Sequence, residues 1–325
     1  MSTIMVDTIH FSVLFDFPVF LGDSFGWKLG GKITQGWKVF GKEIRKTKYV
    51  GGAKVTVKFL EENYQNKSQM NIYVSSLPKV YSDNNFEKST RFPQDFLQLA
   101  EMMQSTFQIP KFDVLKANVF RLDRSTVFSV GDLVQTYLDV IRQLHHPSRD
   151  RRTYCNSIRN YENGVEFFTA KGLVATKFYD KYLESLDHRA KGLLRYEVSI
   201  NGADNLRNYT GISTLHVGDI THELLLKILN SEIEMIRLHK SHKHYKYLAE
   251  SLLKKEYKKQ DDVIQYLAIY KYLCEHWGDT DGQLSSYLGR DQKTIRKRRD
   301  KVISLGGPFL KFGKGINELP GLWVE

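Results

Sequence analysis

Leu193-Leu194-Arg195-Tyr196-Glu197-Val198-Ser199-Ile200 has the clearest strand pattern in this chain. From the second residue onward apolar and polar positions alternate, and the side chains of a β-strand point alternately to its two faces. One face of the strand is apolar, formed by Leu194, Tyr196, Val198 and Ile200. The opposite face carries Arg195, Glu197 and Ser199. The stretch is therefore predicted to be a strand with one face on a core and the other bearing charge.

Two other segments show the same alternation with charged residues on one side. In Val119–Ser125, Arg121 and Asp123 point away from their apolar neighbours. In Ala175–Lys181, the two-residue spacing places Lys177, Tyr179 and Lys181 together, with Thr176, Phe178 and Asp180 behind them. If the three strands share a sheet, one of its faces gathers two carboxylates, several cations and a tyrosine.

The segments around these strands predict an α+β fold. Further strands are expected at Ile4–Asp16, Trp37–Phe40, Lys54–Leu60 and Met70–Ser75, and amphipathic helices at Phe92–Gln108 and Val130–Leu144. The expected architecture is a mixed, largely antiparallel sheet with helices on one face. We expect this unit to span residues 1–228 and a helical domain to span residues 229–325.

The C-terminal third has the spacing of a helix-turn-helix. Helices are predicted at Asp262–His276, Asp281–Leu288 and Gln292–Leu305, with a turn at Gly289-Arg290-Asp291 and a two-stranded wing in Phe309–Glu325 that turns at Gly313–Gly315. The candidate DNA-binding residues of the second, basic helix are Arg290, Lys293, Arg296, Lys297, Arg298 and Arg299. The alternative is an ordinary helical subdomain with a solvated charged face. A second basic stretch, Lys240–Lys259, has interleaved tyrosines and could also follow a phosphate backbone.

Charge points to a polyanionic partner. The 325 residues include 48 Lys and Arg against 37 Asp and Glu, a net charge of +11, which favours nucleic acid. The sequence has no apolar run long enough for a membrane span and no signal-peptide pattern, so we expect a cytosolic protein without a membrane partner. Cys155 and Cys274 have no metal-binding or disulfide pattern around them.

The chemistry expected of the charged sheet face is phosphodiester transfer. A divalent cation prefers oxygen ligands, and a tyrosine nucleophile, whose pKa is ordinarily about 10, needs cationic help. Taken singly, each group has a plain structural explanation: a strand carboxylate beside Arg is usually a solvated ion pair, and Tyr179 is one of 18 tyrosines. Their combination is what favours a catalytic site.

At these segments the chain resembles the replication initiators of filamentous phages, the gene II/X proteins, and more distantly the plasmid rolling-circle initiators. The matching pieces are Met5-Val6-Asp7-Thr8-Ile9, Phe120-Arg121-Leu122-Asp123, Phe178-Tyr179-Asp180-Lys181 followed by Glu184, and Leu194-Arg195-Tyr196-Glu197-Val198. The resemblance implies a rolling-circle initiator-like fold and an enzyme that nicks one DNA strand at the replication origin.

The resemblance also implies roles for individual residues. Tyr179 would form a 5′-phosphotyrosine and free a 3′-OH for the host polymerase, with a host helicase as a further partner, and Lys181 would steady the phosphate. Asp123 and Glu197 would hold Mg²⁺ or Mn²⁺, with Asp7 a weaker third candidate. The chain departs from many such nucleases because it lacks their histidine-hydrophobic-histidine triplet. His145-His146 and His242-Lys243-His244 are expected to be solvated or to face the DNA backbone, and the latter lies in a helix-like stretch.

Two function classes follow. One is the tyrosine endonuclease and strand transferase; the other is a non-enzymatic, sequence-specific DNA-binding regulator that uses the C-terminal helices. The sheet-face carboxylates and Tyr179 favour the enzyme.

Overall fold

A ten-stranded sheet is the centre of the computed structural model, which describes residues 3–15, 38–40, 43–62, 67–144, 146, 149–156, 161–169, 171–238, 242–244, 260–275, 281–304, 309–310 and 318–325. Its strands are β1 Ile4–Phe15, β2 Lys38–Phe40, β3 Glu43–Val50, β4 Ala53–Glu62, β5 Lys67–Val74, β6 Asn118–Ser129, β7 Asp150–Asn156, β8 Tyr161–Phe168, β9 Val174–Asp180 and β10 Leu193–Asn201. All neighbouring strands in this sheet are antiparallel. The α+β class is confirmed, and the sheet is antiparallel throughout rather than mixed.

The sheet consists of two halves with the same topology. Its strand order is β2-β3-β4-β5-β1-β6-β10-β9-β8-β7. In the first half β1 is followed by a four-strand meander whose last strand, β5, returns beside β1. In the second half β6 is followed by the meander β7 to β10, and β10 returns beside β6. Although the sequence shows no repeat, the topology has an approximate two-fold relation centred between β1 and β6.

Helices cover one face of this sheet, as predicted. They are α1 Gln94–Phe107, α2 Val134–Gln143, α4 Ala203–Thr210 and α5 His222–Met235, whereas the short helix α3 Lys181–Ser185 follows β9 directly. Lys48 on β3 donates to the carbonyl of Thr106 on α1 at 2.6 Å, and Thr176 on β9 donates to Glu232 on α5 at 2.6 Å. Because both sheet residues lie on the face with the apolar side chains, the helices and the core share that face. The opposite face is left for the charged strand residues.

A buried polar cluster ties α5 to the sheet. The carboxylate of Glu232 is fully buried and accepts from Arg149 at 2.6 Å, from Thr176 and from Tyr209 at 2.8 Å. Burial alone would raise its pKa, but these partners and His146 outweigh burial and lower the pKa to about 2. His146 is only 1% exposed and its Nε2 lies 3.6 Å from Glu232. The expectation that His146 is solvated or faces DNA is therefore wrong, because it packs against a buried carboxylate.

The C-terminal helices form a separate small core. They are α6 Gln260–Glu275, α7 Asp281–Leu288 and α8 Gln292–Ser304, close to the predicted ranges. Apolar residues of the three helices pack together, among them Leu273, Leu284, Ile295 and Val302. None of the helices that the structure describes is long and apolar enough to cross a membrane.

The predicted wing is not a simple hairpin. Three short strands, β11 His242–His244, β12 Phe309–Leu310 and β13 Glu318–Leu319, form a second sheet in which β11 lies between the other two. The helix-like interpretation of His242–His244 is thus wrong, because this segment pairs with both C-terminal strands. The predicted turn at 313–315, and all of Lys240–Lys259 except 242–244, lie outside the described residues.

The last residues of the chain pack on the first core. The backbone N–H of Leu322 donates to the carbonyl of Leu238 at 2.9 Å, and Asn230 and Val324 exchange two hydrogen bonds of 2.9 and 3.0 Å. Leu322 and Val324 are buried in the same cluster as the sheet. The division of the chain at residue 228 stays a prediction, and α5 runs through that position.

Candidate active site

The register of three neighbouring strands assembles the charged face. Arg195 on β10 lies opposite Tyr179 on β9, and Glu197 lies opposite Lys177. On the other side of β10, Ser199 lies opposite Asp123 on β6. Directly opposed residues have their side chains on the same face of a sheet. The two carboxylates and the tyrosine predicted to share a face are therefore brought together.

Glu197 contacts three other polar side chains of this cluster. Its Oε1 accepts from Lys177 Nζ at 3.1 Å and from Ser199 Oγ at 3.3 Å, and its Oε2 lies 3.4 Å from the Tyr179 hydroxyl. Burial would raise the pKa of Glu197, but the charges of Lys177 and Arg195 and the hydrogen bonds outweigh it and lower the pKa. Glu197 is thus ionised at neutral pH and is able to accept a proton.

Asp123 is the second buried carboxylate. Arg121 binds it through two hydrogen bonds, of 3.1 Å from Nε and 2.7 Å from the terminal nitrogen. Even so, burial and the nearby charge of Glu197 raise the pKa of Asp123 above its usual range. Two carboxylates that repel each other in a buried site are stabilised together by a shared cation.

Tyr179 is held in a closed environment. Its side chain is only 4% exposed, and burial together with the charge of Glu197 raises its pKa well above 10, while Arg195 lowers it. On β8, Gly164 lies opposite Tyr179. A Cβ at Gly164 would lie 2.6 Å from the Tyr179 Cβ and 2.3 Å from the Phe178 carbonyl oxygen, closer than real Cβ atoms come. The absence of a side chain at Gly164 therefore permits the close approach of β8 and β9 at the tyrosine.

Asp7 pairs with the guanidinium of Arg195. Arg195 pairs with Asp7 at 3.1 Å and also donates to the carbonyl of Asn85. Asp7 accepts further hydrogen bonds from Ser76 at 2.9 Å and Asn85 at 3.3 Å. The carboxylate of Asp7 is therefore neutralised by Arg195.

Lys181 begins α3 rather than ending the strand. Its ammonium pairs with Glu184 and lies 5.8 Å from the ring of Phe86. Burial and the charge of Arg195 lower the pKa of Lys181. The side chain of this buried lysine still lies near Arg195, on the side of the sheet predicted for it.

The donor set suits a divalent cation in part. Asp123 and Glu197 supply buried carboxylate oxygens, the kind of ligand that Mg²⁺ and Mn²⁺ prefer. Within the described ranges, however, no group of three or more Asp, Glu, His or Cys residues is arranged to hold a metal ion. The side chains of Arg121 and Lys177, 33% and 20% exposed, cover the carboxylates they bind, which are 4% and 9% exposed. Metal binding would require these two cations to move aside, and the metal roles stay predictions.

The predicted DNA-binding residues occupy two different environments. Arg290, Lys293, Arg296 and Lys297 are exposed on or just before α8. Arg298 and Arg299 are only partly exposed, and the guanidinium of Arg298 lies 5.9 Å from the ring of Tyr266 on α6. The turn before α8 is closed by Gly289 with φ +61° and by Asp291, which accepts from the Thr294 N–H at 2.9 Å. The outward basic surface is therefore formed by the first four residues.

Sequence patterns alone did not assign roles to Lys177, Arg195 or Gly164. The first two could have been found from strand alternation combined with the correct register, because each lies directly opposite a predicted site residue. Gly164 lies in β8, a strand that was not predicted from the sequence.

Comparisons with known proteins do not identify a family for this chain. No protein-family model and no curated protein matches the chain. Among solved structures, the chain is similar to the rolling circle replication initiator protein from Geobacillus stearothermophilus, with a TM-score of 0.32 and 12% sequence identity over 67% of this chain and 80% of that one. The resemblance to gene II/X proteins stays a prediction, and the function has to be inferred from the residues of the chain itself.

Proposed function

We propose that this chain is a rolling-circle replication initiator, a metal-dependent, site-specific DNA endonuclease and strand transferase that uses Tyr179 as its nucleophile. The observation that carries the proposal is the contact of 3.4 Å between the Tyr179 hydroxyl and the ionised carboxylate of Glu197. A second buried carboxylate and three cations surround this pair. Phosphodiester transfer requires a nucleophile, a base and groups that stabilise the developing charge.

In the proposed step, the Tyr179 oxygen attacks the phosphorus at the nick site and Glu197 accepts the phenolic proton. The bond from phosphorus to the 3′ oxygen breaks, and that oxygen leaves and takes a proton from solvent. The products are a 5′-phosphotyrosine and a free 3′-OH, which the host polymerase would extend with a host helicase opening the duplex. The raised pKa of Tyr179 means that the free enzyme keeps the phenol protonated, so proton transfer must accompany attack.

Cations of the site stabilise the charge that develops. Arg195 lies opposite Tyr179 and already lowers its pKa, so it would stabilise the phenolate character of the attacking oxygen. Asp7 would position Arg195, and Lys181 would contact the phosphate. A Mg²⁺ or Mn²⁺ ion held by Asp123 and Glu197 would polarise a phosphate oxygen.

The test is cleavage of single-stranded origin DNA by matched variants. Tyr179→Phe removes only the nucleophilic oxygen, so it should bind the oligonucleotide like wild type and neither nick it nor form a covalent adduct. Tyr182→Phe is the control, because Tyr182 is a nearby tyrosine whose ring packs beside His188 at 5.6 Å. Cleavage by Tyr179→Phe at the wild-type rate would overturn the assignment.

A non-enzymatic regulator is the second candidate, and the exposed cations of α8 favour it. Such a protein would bind one duplex sequence through α8 and form no adduct with any DNA in the presence of a divalent ion. In the proposal above, α8 instead reads the origin duplex and delivers the nick site to Tyr179.

A further inference from the structure

Three aromatic side chains cluster on the charged face of the sheet outside the candidate active site. His10 on β1 lies opposite Tyr73 on β5 and opposite Arg121 on β6, so these side chains share a face. The ring centroids of His10 and Tyr73 are 4.7 Å apart, and Phe120 lies 5.7 Å from each. All three rings are partly exposed. We refer to His10, Tyr73 and Phe120 as the aromatic patch.

Cations flank the aromatic patch on both sides. Lys58 Nζ lies 5.1 Å from the centroid of the Tyr73 ring, and Lys54 is exposed on the same strand face. On the other side Arg121 extends to Asp123, which connects the patch to the candidate active site. Burial and the charge of Arg121 lower the pKa of His10 to about 4, so its ring is neutral at pH 7 and presents a π-surface rather than a charge.

A cavity with a mixed polar and apolar lining adjoins the patch. It has a volume of about 380 Å³, and its lining includes Ser12, Gln69, Asn71, Asn118, Phe120 and Thr214. Gln69 donates to Asn71 at 2.7 Å within this lining. The Phe120 ring together with amides and hydroxyls in the lining offers stacking as well as hydrogen-bond donors and acceptors. The face and the edge of an unpaired nucleobase require these groups.

We propose that the aromatic patch and this cavity bind single-stranded DNA next to the nick site, with one unpaired base in the cavity. Cations attract the phosphates, while aromatic rings stack with bases of any sequence. Because adjacent strands are about 4.8 Å apart, the four steps from β9 to β5 span roughly 19 Å, a length that a few nucleotides can cover. The link to the nick site rests on the proposed function, whereas the binding itself does not.

The decisive experiment measures binding without cleavage. A fluorescent single-stranded oligonucleotide is titrated with Tyr179→Phe protein, alone and combined with Tyr73→Ala or Phe120→Ala. Since stacking contributes about 1–3 kcal/mol per base, each change should weaken binding roughly 5- to 150-fold. Tyr73→Phe should retain affinity. The matched control is Trp323→Ala, an aromatic residue that is 41% exposed in the C-terminal segment beside α5 and should bind like its parent.

Abasic substitution identifies the base in the cavity. Removing bases one at a time should reveal one position where the parent loses affinity and Phe120→Ala loses no more, because ring and base act as a pair. If an aromatic variant fails to fold by thermal unfolding, Lys58→Gln replaces it and should flatten the salt dependence of binding by about one charge.

The outcomes separate this inference from the proposed function. Binding that depends on Tyr73 and Phe120 in a protein that never nicks DNA supports the surface and refutes the nuclease. Folded Tyr73→Ala and Phe120→Ala proteins that bind like their parent, or a Trp323→Ala protein that loses as much affinity, overturn the surface even if nicking is intact. Preference for an acidic peptide over the oligonucleotide overturns it as well.

Discussion

Gly164→Ala should displace the nucleophile while leaving every charged residue of the site in place. The added Cβ would lie 2.3 Å from the Phe178 carbonyl oxygen and 2.6 Å from the Tyr179 Cβ, so β8 and β9 must separate until these distances exceed 3.0 Å. The required shift is about 0.7 Å. Overpacking of this kind costs about 1–3 kcal/mol of unfolding free energy. A misplacement of about 1 Å can cost roughly a hundredfold in rate, so we expect cleavage to fall about ten- to a hundredfold.

The assay compares single-turnover cleavage of single-stranded origin DNA with thermal unfolding of the same proteins. Gly172→Ala is the matched control. Its Cβ would meet nothing within 4 Å, but its φ of +64° makes alanine strained, which costs about 1–2 kcal/mol. Gly172→Ala should therefore lose stability and keep its cleavage rate. Wild-type cleavage and stability in Gly164→Ala would refute the idea that this contact sets the position of Tyr179.

Three further predictions concern the base, the core and the duplex-binding helix. Glu197→Gln should lower cleavage by orders of magnitude while leaving oligonucleotide binding intact, and undiminished cleavage would refute the role of Glu197 as base. Excess chelator should lower wild-type cleavage in the same way, and undiminished cleavage would refute metal dependence. The pKa of Glu232 falls from 4.5 unfolded to about 2 folded, so it contributes on the order of 3 kcal/mol above pH 4.5, lost as the pH falls towards 2. Glu232→Gln should flatten this acid dependence in urea unfolding, and an unchanged pH profile would contradict the network. Replacing Lys293, Arg296 and Lys297 by Gln should abolish binding to origin duplex but leave cleavage of a short single strand unchanged. If this variant nicks origin plasmid at the wild-type rate, α8 is not the helix that recognises the origin.

Strand alternation predicted the central strands well because one face of each is apolar. Strand β3 was missed for a physical reason: its core face carries Lys46 and Lys48, whose aliphatic stems pack inward while Lys48 donates its ammonium hydrogen to the carbonyl of Thr106. The sequence therefore shows charge where the structure has core. His242–His244 likewise has no strand signal of its own, because its pairing partners lie more than 60 residues away in sequence.

The sequence predicted which site residues share a face of the sheet, but not which of them contact each other. Alternation identified Asp123, Glu197 and Tyr179, but which groups pair depends on register. Only the register shows that Arg195 lies opposite Tyr179. The β-bulge in β1 after Val6, which local sequence does not predict, accompanies the pairing of Asp7 with Arg195.

Mapping of the covalent adduct identifies the nucleophile. Wild-type protein is incubated with single-stranded origin DNA and Mg²⁺, denatured, treated with nuclease and protease, and analysed by mass spectrometry for nucleotide attached to a peptide. We expect a 5′-phosphate linkage on the peptide that contains Tyr179, absent from the Tyr179→Phe protein. An adduct on any other residue, or nicked DNA with no adduct, would contradict it.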